Sequence, residues 1–263
     1  MRKVLFIVIM VLICFSTQGF AATLISDNFD SYTAGNIPPS PWIVYENTGS
    51  VRVSNAAAFS SPSSVAVTAG DADTNPYLER DHLHIANQGT YEAYLRTNDV
   101  TDETLVMNGS GSGNGSGIGP WISLGGPNGF GIPPGHLAAW DGSAWTDVMA
   151  ISNNTWYHIK LVIDVPSKTY DIYVDDMVTP VVTGVNFHDS TVTSLSIIAF
   201  VVFGSASNPN PSNPGVDYAF VDNVVVLSAT SVPTMTQWGM IIFMALAGIG
   251  AVYYLRRQKR ATS

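Results

Sequence analysis

Trp156-Tyr157-His158-Ile159-Lys160-Leu161-Val162-Ile163-Asp164-Val165-Pro166-Ser167-Lys168-Thr169-Tyr170-Asp171-Ile172-Tyr173-Val174-Asp175-Asp176 reads as two strands joined by a turn. Ile159, Leu161 and Ile163 alternate with His158, Lys160 and Val162, and Tyr170, Ile172 and Val174 alternate with Asp171 and Tyr173. A period of two puts successive side chains on opposite faces of a sheet, so each run offers one face to a core. Val165-Pro166-Ser167-Lys168 supplies the turn between them. The segment predicts an antiparallel hairpin with one buried face.

Working outward, further strands are expected at Val65–Thr68, Tyr91–Thr97, Trp121–Leu124, His136–Trp140, Trp145–Met149, Ser194–Phe203 and Tyr218–Leu227. Asp141-Gly142 between Trp140 and Trp145 marks a second hairpin. No stretch before residue 230 sustains a 3.6-residue period. Many short strands separated by turn signals predict an all-β fold, an antiparallel β-sandwich or jelly roll. The opening Asp27-Asn28-Phe29-Asp30-Ser31-Tyr32 with Trp42 soon after, the middle Thr155–Leu161 running into Thr169–Asp175, and the close Val221-Asp222-Asn223-Val224 resemble concanavalin A-like and laminin-G-like jelly rolls. That resemblance implies neighbouring first and last strands. It implies a fold more than a function, since such domains include both sugar binders and hydrolases.

The two ends of the chain have a different composition. Arg2 and Lys3 precede an apolar run, Val4–Ile13, and Gly19-Phe20-Ala21 places small residues where a signal peptidase requires them. Residues 1–21 are therefore expected to be a signal peptide, with Ala22 the first mature residue. Cys14 suggests a lipoprotein, but the bulky Ile13 before it argues against acylation. Removal of the leader takes away the chain's one cysteine, so an exported domain here is stabilised by its core rather than by disulfides. At the other end, Trp238 to Leu255 contains no charged residue. Such a run is about 27 Å long as a helix, near the thickness of a hydrocarbon core. Arg256-Arg257-Gln258-Lys259-Arg260 after it would stay on the cytoplasmic side, leaving the preceding chain outside.

Val232-Pro233-Thr234-Met235, followed by Trp238-Gly239, the apolar run and the basic end, resembles the IPTL-CTERM sorting signal, a relative of PEP-CTERM. Val232 and Met235 depart conservatively from the pattern. The resemblance implies an exosortase-type membrane peptidase as partner, in a Gram-negative bacterium, with removal of the span and transfer to the surface. The alternative is a plain single-span anchor with Trp238 as an interfacial aromatic. Either way the chain divides into residues 1–21, a domain over 22–229, and a tail over 230–263.

All twenty acidic residues fall between Asp27 and Asp222, against five basic ones in the same domain, Arg52, Arg80, Arg96, Lys160 and Lys168, for a formal charge of −15. Such a surface repels phosphate and attracts divalent cations, which excludes nucleic acid as an expected partner. No cofactor is required by any motif, and calcium is the one candidate. Asp71, Asp73 and Asn75 place oxygen ligands on alternate residues, although Pro76 and His82 break the EF-hand pattern. A second cation site would join Asp27 or Asp30 to Asp222.

A glycosidase on this fold needs two carboxylates flanking the scissile bond. Glu79-Arg80-Asp81-His82-Leu83-His84 comes nearest, with His84 where a second glutamate belongs. Charged residues on a solvated strand face are the expected reading. His82 and His84 would share a face of that strand but lack a third metal ligand, and His136, His158 and His188 are isolated. The Gly-Ser-rich stretch Asn108–Gly117 reads as a long loop, as does the proline-bearing stretch Ser205–Gly215. Trp121, Phe130, Trp140 and Trp145 cluster in sequence with Asn128, His136 and Asp141. Most of these tryptophans, and Trp156, are expected in the core, where large aromatics usually reside. The alternative is a sugar-stacking platform built from Trp121, Asn128, Trp140, Asp141 and Trp145. The expected function is thus a non-enzymatic surface protein, for adhesion or carbohydrate binding, with extracellular polysaccharide as partner. The competing expectation is a polysaccharide hydrolase or lyase using Glu79 and Asp81.

Overall fold

The computed structural model describes residues 21–46, 49–69, 75–101, 104–111, 117–126, 131–203 and 218–229, with Gly239, Ile242, Phe243, Ala245, Leu246 and Ile249 in the tail. Ala21–Ala229 is a compact unit of its own. Its strands in chain order are β1 (Ala21–Asp27), β2 (Ile43–Tyr45), β3 (Ser50–Ser54), β4 (Ser64–Thr68), β5 (Tyr77–Arg80), β6 (Gln88–Thr97), β7 (Thr104–Ser110) and β8 (Ile118–Leu124). They continue with β9 (His136–Trp140), β10 (Trp145–Ala150), β11 (Tyr157–Asp164), β12 (Thr169–Val174), β13 (Val182–Asn186), β14 (Ile197–Phe203) and β15 (Tyr218–Ala229).

These strands make two antiparallel sheets. One has eight strands in the order β13-β12-β11-β6-β15-β4-β3, with β1 also on β15; the other has seven, β10-β9-β8-β7-β14-β5-β2. The expected hairpin is β11–β12, registered from Ile159 opposite Val174 to Asp164 opposite Thr169. Its alternation works as anticipated: Ile159, Leu161, Ile163, Tyr170 and Ile172 are essentially inaccessible, and their neighbours in sequence are half-buried. The first and last strands are neighbours, with Ala21 opposite Ala229 and Asp27 opposite Val224.

The core between the sheets takes Leu95, Ile159, Leu161 and Val226 from one side and Leu105, Met107, Ile122, Leu124 and Phe200 from the other. Each such side chain contributes about 1.5–3 kcal/mol of burial. Two tyrosines cross this layer with their hydroxyls satisfied on the far side. Tyr91 of β6 donates to the Ile197 carbonyl at 3.1 Å, and Tyr170 of β12 donates to the carbonyls of Trp121 at 3.0 Å and Trp140 at 3.1 Å. A buried hydroxyl without such a partner would cost about 1–3 kcal/mol, so these bonds fix how the sheets face each other.

The structure corrects the loop expected over Asn108–Gly117 at its start. Asn108, Gly109 and Ser110 belong to β7 and pair with β14. Gly109 is required there because a Cβ would lie 2.5 Å from the Tyr91 ring. Residues 112–116 of that stretch, and all of Ser205–Gly215, lie outside the described residues. Glu79 and Arg80 are in β5, but Asp81–His84 leave the strand, and His82 adopts a φ of 59°. The shared strand face expected for His82 and His84 is therefore not formed.

Candidate functional site

Trp121, Trp140 and Trp145 sit on three consecutive strands, β8, β9 and β10. Ile122 pairs with Ala139 and Trp140 with Trp145, so the three indoles stand in one cross-strand row. Ile122, Leu124, Leu137 and Ala139 point into the core, and alternation sends the tryptophans to the other face of the sheet. All three are half-buried. The core placement expected for most of them is thus replaced by an aromatic cluster on the outer face of the seven-stranded sheet. Ring centroids lie 5.8 Å apart for Trp121–Trp140, 5.2 Å for Trp121–Trp145 and 5.7 Å for Trp140–Trp145, the last two edge to face.

His188, isolated in sequence, completes the cluster at 4.8 Å from Trp121 and 5.1 Å from Trp140. Its backbone N–H is held by the Gly119 carbonyl at 2.9 Å, which no sequence spacing foretold. The Nε1 atoms of Trp121 and Trp140 and the Nδ1 of His188 are buried and make no hydrogen bond among the described residues. Tyr170 holds the cluster from behind through the carbonyls of Trp121 and Trp140.

Asp141 has a structural part in the same hairpin. Its carboxylate accepts the N–H groups of Ser143 and Ala144, each at 2.9 Å, and the hydroxyls of Ser143 and Thr146. Those bonds, led by the Ala144 N–H, hold its carboxyl well below the usual aspartate range. Gly142 takes the φ of +94° that the turn needs. Asp141 therefore shapes the Trp140–Trp145 connection with its oxygens already engaged. His136 is committed to Asp147 at 2.7 Å. Asn128 and Phe130 lie outside the described residues.

Glu79 belongs to the same cross-strand row, which runs Ile43, Glu79, Ala199, Asn108, Trp121. Three strand spacings separate Glu79 from Trp121, about 14 Å. Burial pushes the Glu79 carboxyl up, with the negative charge of Asp81 adding to the shift. Asp81 itself is beside His82 at 3.1 Å. The floor between the aromatic cluster and Glu79 is lined by small side chains, and Val106, Ser123 and Ala138 of the next row are buried although they face away from the core. A second carboxylate for Glu79 could come from Glu92 or Glu103, but Glu92 is on the other sheet, bonded to His158 Nε2 at 2.6 Å, and Glu103 lies outside the described residues.

Of the expected cation ligands, Asn75 is exposed and Asp71 and Asp73 lie outside the described residues. Asp27 is engaged by Tyr32 at 2.6 Å, by Trp42 Nε1 at 2.8 Å and by the Phe29 N–H. Asp222 is fully buried and accepts the N–H groups of Phe59 and Ser60, and Asp30 is near enough for its charge to act on Asp222. No group of three or more metal-ligating side chains is present among the described residues.

A second aromatic surface lies on the outer face of the eight-stranded sheet. Trp156, expected in the core, is half-buried here, 6.3 Å from Phe59 and 6.2 Å from Phe220. Phe59 stacks on Tyr94 at 3.6 Å and Tyr94 on His158 at 4.1 Å. Phe59 comes from the β3–β4 connection, so sequence periodicity could not associate it with β6 and β11.

In the tail, Gly239 is helical, whereas Val232, Pro233, Thr234, Met235 and Trp238 lie outside the described residues. No helix among the described residues is long and apolar enough to cross a membrane, and the span expected over 238–255 falls mostly outside them. The tail sequence is decisive instead. Residues 230–259 match the IPTL-CTERM motif. IPTL-CTERM is a C-terminal sorting signal of exported, surface-targeted proteins, and it accounts for the Pro-Thr and Trp-Gly pairs that hydropathy alone leaves unexplained. No curated relative matches the chain.

Solved structures resemble the domain in front of the IPTL-CTERM tail. A sialidase aligns with a TM-score of 0.60 at 15% identity, over 79% of this chain and 19% of its own, so this chain spans about a fifth of that protein. A cellulose-induced protein aligns at 0.53 and 13% identity over 79% of this chain and 98% of its own. A glycosyl hydrolase family protein from Mycobacterium fortuitum aligns at 0.52 and 16% identity over 78% and 99%. At these identities the likeness establishes the jelly-roll sandwich alone.

Proposed function

We propose that this is an exported surface protein whose jelly-roll domain binds carbohydrate without cleaving it, and whose IPTL-CTERM tail is cut by an exosortase-type peptidase. The observation carrying the binding half is the placement of Trp121, Trp140 and Trp145 outside the core, rigidly held yet partly accessible. Burying three tryptophans in the core would stabilise the fold more, so keeping them outside favours a surface use. Aromatic rings take the C–H face of a pyranose, and a cluster fixed from behind loses little conformational entropy on binding. The names of the structural neighbours, a sialidase and a glycosyl hydrolase family protein, agree with a sugar as ligand.

Glycan-array binding of residues 22–229 tests this reading. Trp121→Ala and Trp140→Ala are each expected to lower binding about tenfold or more, as for a central aromatic anchor. Absence of any glycan signal, or a signal indifferent to both substitutions in proteins that still melt cooperatively, would sink it. The raised carboxyl of Glu79 beside Asp81 favours hydrolysis as a second reading. Release of reducing ends that disappears in Glu79→Gln would establish that reading.

The processing half is tested by mass spectrometry of the surface-exposed protein. The expected C-terminus lies near Thr234. An intact Ser263 on the surface protein would leave the tail as a plain membrane anchor.

A further inference from the structure

We propose that the outer face of the eight-stranded sheet is a second binding site, for a uronate-bearing polysaccharide, with Arg96 receiving the sugar carboxylate and Phe59 and Trp156 receiving its ring. Cross-strand register places Arg96 opposite Phe220 on β15, and carried one step past Tyr157 it puts Trp156 on the other side. The Arg96 guanidinium lies over the Phe220 ring at 5.6 Å. Its Nη2 donates to Asn154 Oδ1 at 3.0 Å, and its Nε is buried without a hydrogen-bond partner among the described residues. An arginine carries five donors, so most of its capacity is unused.

Of the other cations of the domain, only Arg52 has an acidic partner among the described residues, Glu46; Arg80 donates to the Pro41 carbonyl at 3.0 Å, Lys160 to the Met177 carbonyl and Lys168 to that of Val192. Arg96 has no acidic partner among the described residues, in a domain with twenty acids. Of the acids on this face, Glu92 is bonded to His158, Asp222 accepts backbone N–H groups and Asp175, whose charge reaches Tyr94, accepts the His158 N–H. Beyond about 8 Å charges are largely screened at physiological salt, so a docking carboxylate responds chiefly to Arg96 and its immediate neighbours.

The aromatic component points to a sugar rather than to a simple anion. Phe59 is 48% exposed, stacked on Tyr94 and edge-on to Trp156. Its position is fixed, because its N–H is bound by the buried Asp222 carboxylate at 2.9 Å. A planar guanidinium pairs bidentately with a carboxylate, and adjacent rigid rings take the apolar side of the same residue. A uronic acid presents both chemistries on one ring. With the tryptophan cluster on the opposite sheet, the domain would hold two polymer strands at once.

Calorimetric titration of residues 22–229, a compact unit with its own core, uses polygalacturonate, the same polymer after methyl esterification, and polyglutamate as an acidic peptide. Binding is expected for polygalacturonate and is lost on esterification. Arg96→Gln and Phe59→Ala should each weaken it about tenfold or more, whereas Trp145→Ala on the other sheet leaves it unchanged. Conversely, neutral-glycan binding at the tryptophan cluster should ignore Arg96→Gln, so failure of one site is distinguishable from failure of the other. The proposal is overturned if no uronate polymer binds, if the esterified polymer binds equally, or if binding survives Arg96→Gln. Polyglutamate binding that is lost in Arg96→Gln but not in Phe59→Ala would overturn it in favour of a protein partner. Should Arg96→Gln fail to fold by circular dichroism, Phe59→Ala, which alters an exposed side chain, decides alone.

Discussion

Asp222→Ala is expected to lower the unfolding free energy by about 3–5 kcal/mol, the range for a buried carboxylate that organises several donors. Asp222 is inaccessible to solvent and accepts N–H groups from Phe59 at 2.9 Å, Ser60 at 3.0 Å and Asn223 at 2.7 Å. Alanine would leave those donors without their acceptor and release the β3–β4 connection from β15. Urea unfolding of the exported domain measures the effect. A loss below about 1 kcal/mol would mean that the connection does not depend on this carboxylate.

The conservative variant carries a pH signature. Burial pushes the Asp222 carboxyl above the ordinary aspartate value, against the opposing N–H bonds and with the charge of Asp30 adding to the rise. A carboxyl raised in the folded state favours folding most fully below its unfolded value, and that contribution is lost as pH rises through the folded one. Asp222→Asn should therefore flatten the stability profile across that interval, at a smaller overall cost than alanine.

Tyr170→Ala is expected to cost about 3–5 kcal/mol, as for other fully buried aromatics, whereas Tyr170→Phe should cost about 1 kcal/mol. The difference separates filling the core from bonding across it. Because the Tyr170 hydroxyl bridges the Trp121 and Trp140 carbonyls, even Tyr170→Phe should shift the tryptophan fluorescence of the cluster and weaken glycan binding. An unchanged emission spectrum and unchanged glycan affinity in a folded Tyr170→Phe protein would show that the cluster does not rely on support from the opposite sheet.

The sequence was most readable where one physical rule acted alone. Strict alternation identified β11 and β12, and the Asp141-Gly142 turn identified β9 and β10. Strands without such a pattern were less accessible: β1 begins at the end of the segment expected as a signal peptide, β2 is three residues long, and β7 runs into the Gly-Ser stretch. The tryptophans illustrate a different limit. Alternation in Trp121–Leu124 shows that Trp121 and Ile122 lie on opposite faces, but composition alone assigns the larger side chain to the core, and here Ile122 occupies it. Nor could pattern join His188 to the cluster or Phe59 to Tyr94, because these contacts arise from connections whose course depends on the packed sheets. The IPTL-CTERM tail, by contrast, was readable because a sorting signal is written in contiguous residues.

The pairing of Ala21 with Ala229 has a mechanical consequence. A load applied through the tail enters the domain at the end of β15, a strand flanked by β6 on one side and by β4 and β1 on the other. Hydrogen bonds between antiparallel strands lie perpendicular to the strand axis, so a pull along β15 shears many of them together instead of opening them singly. An edge strand such as β3 or β10 in the same role would peel. The tail thus follows directly on a strand bonded on both sides, where a pull meets shear rather than peeling.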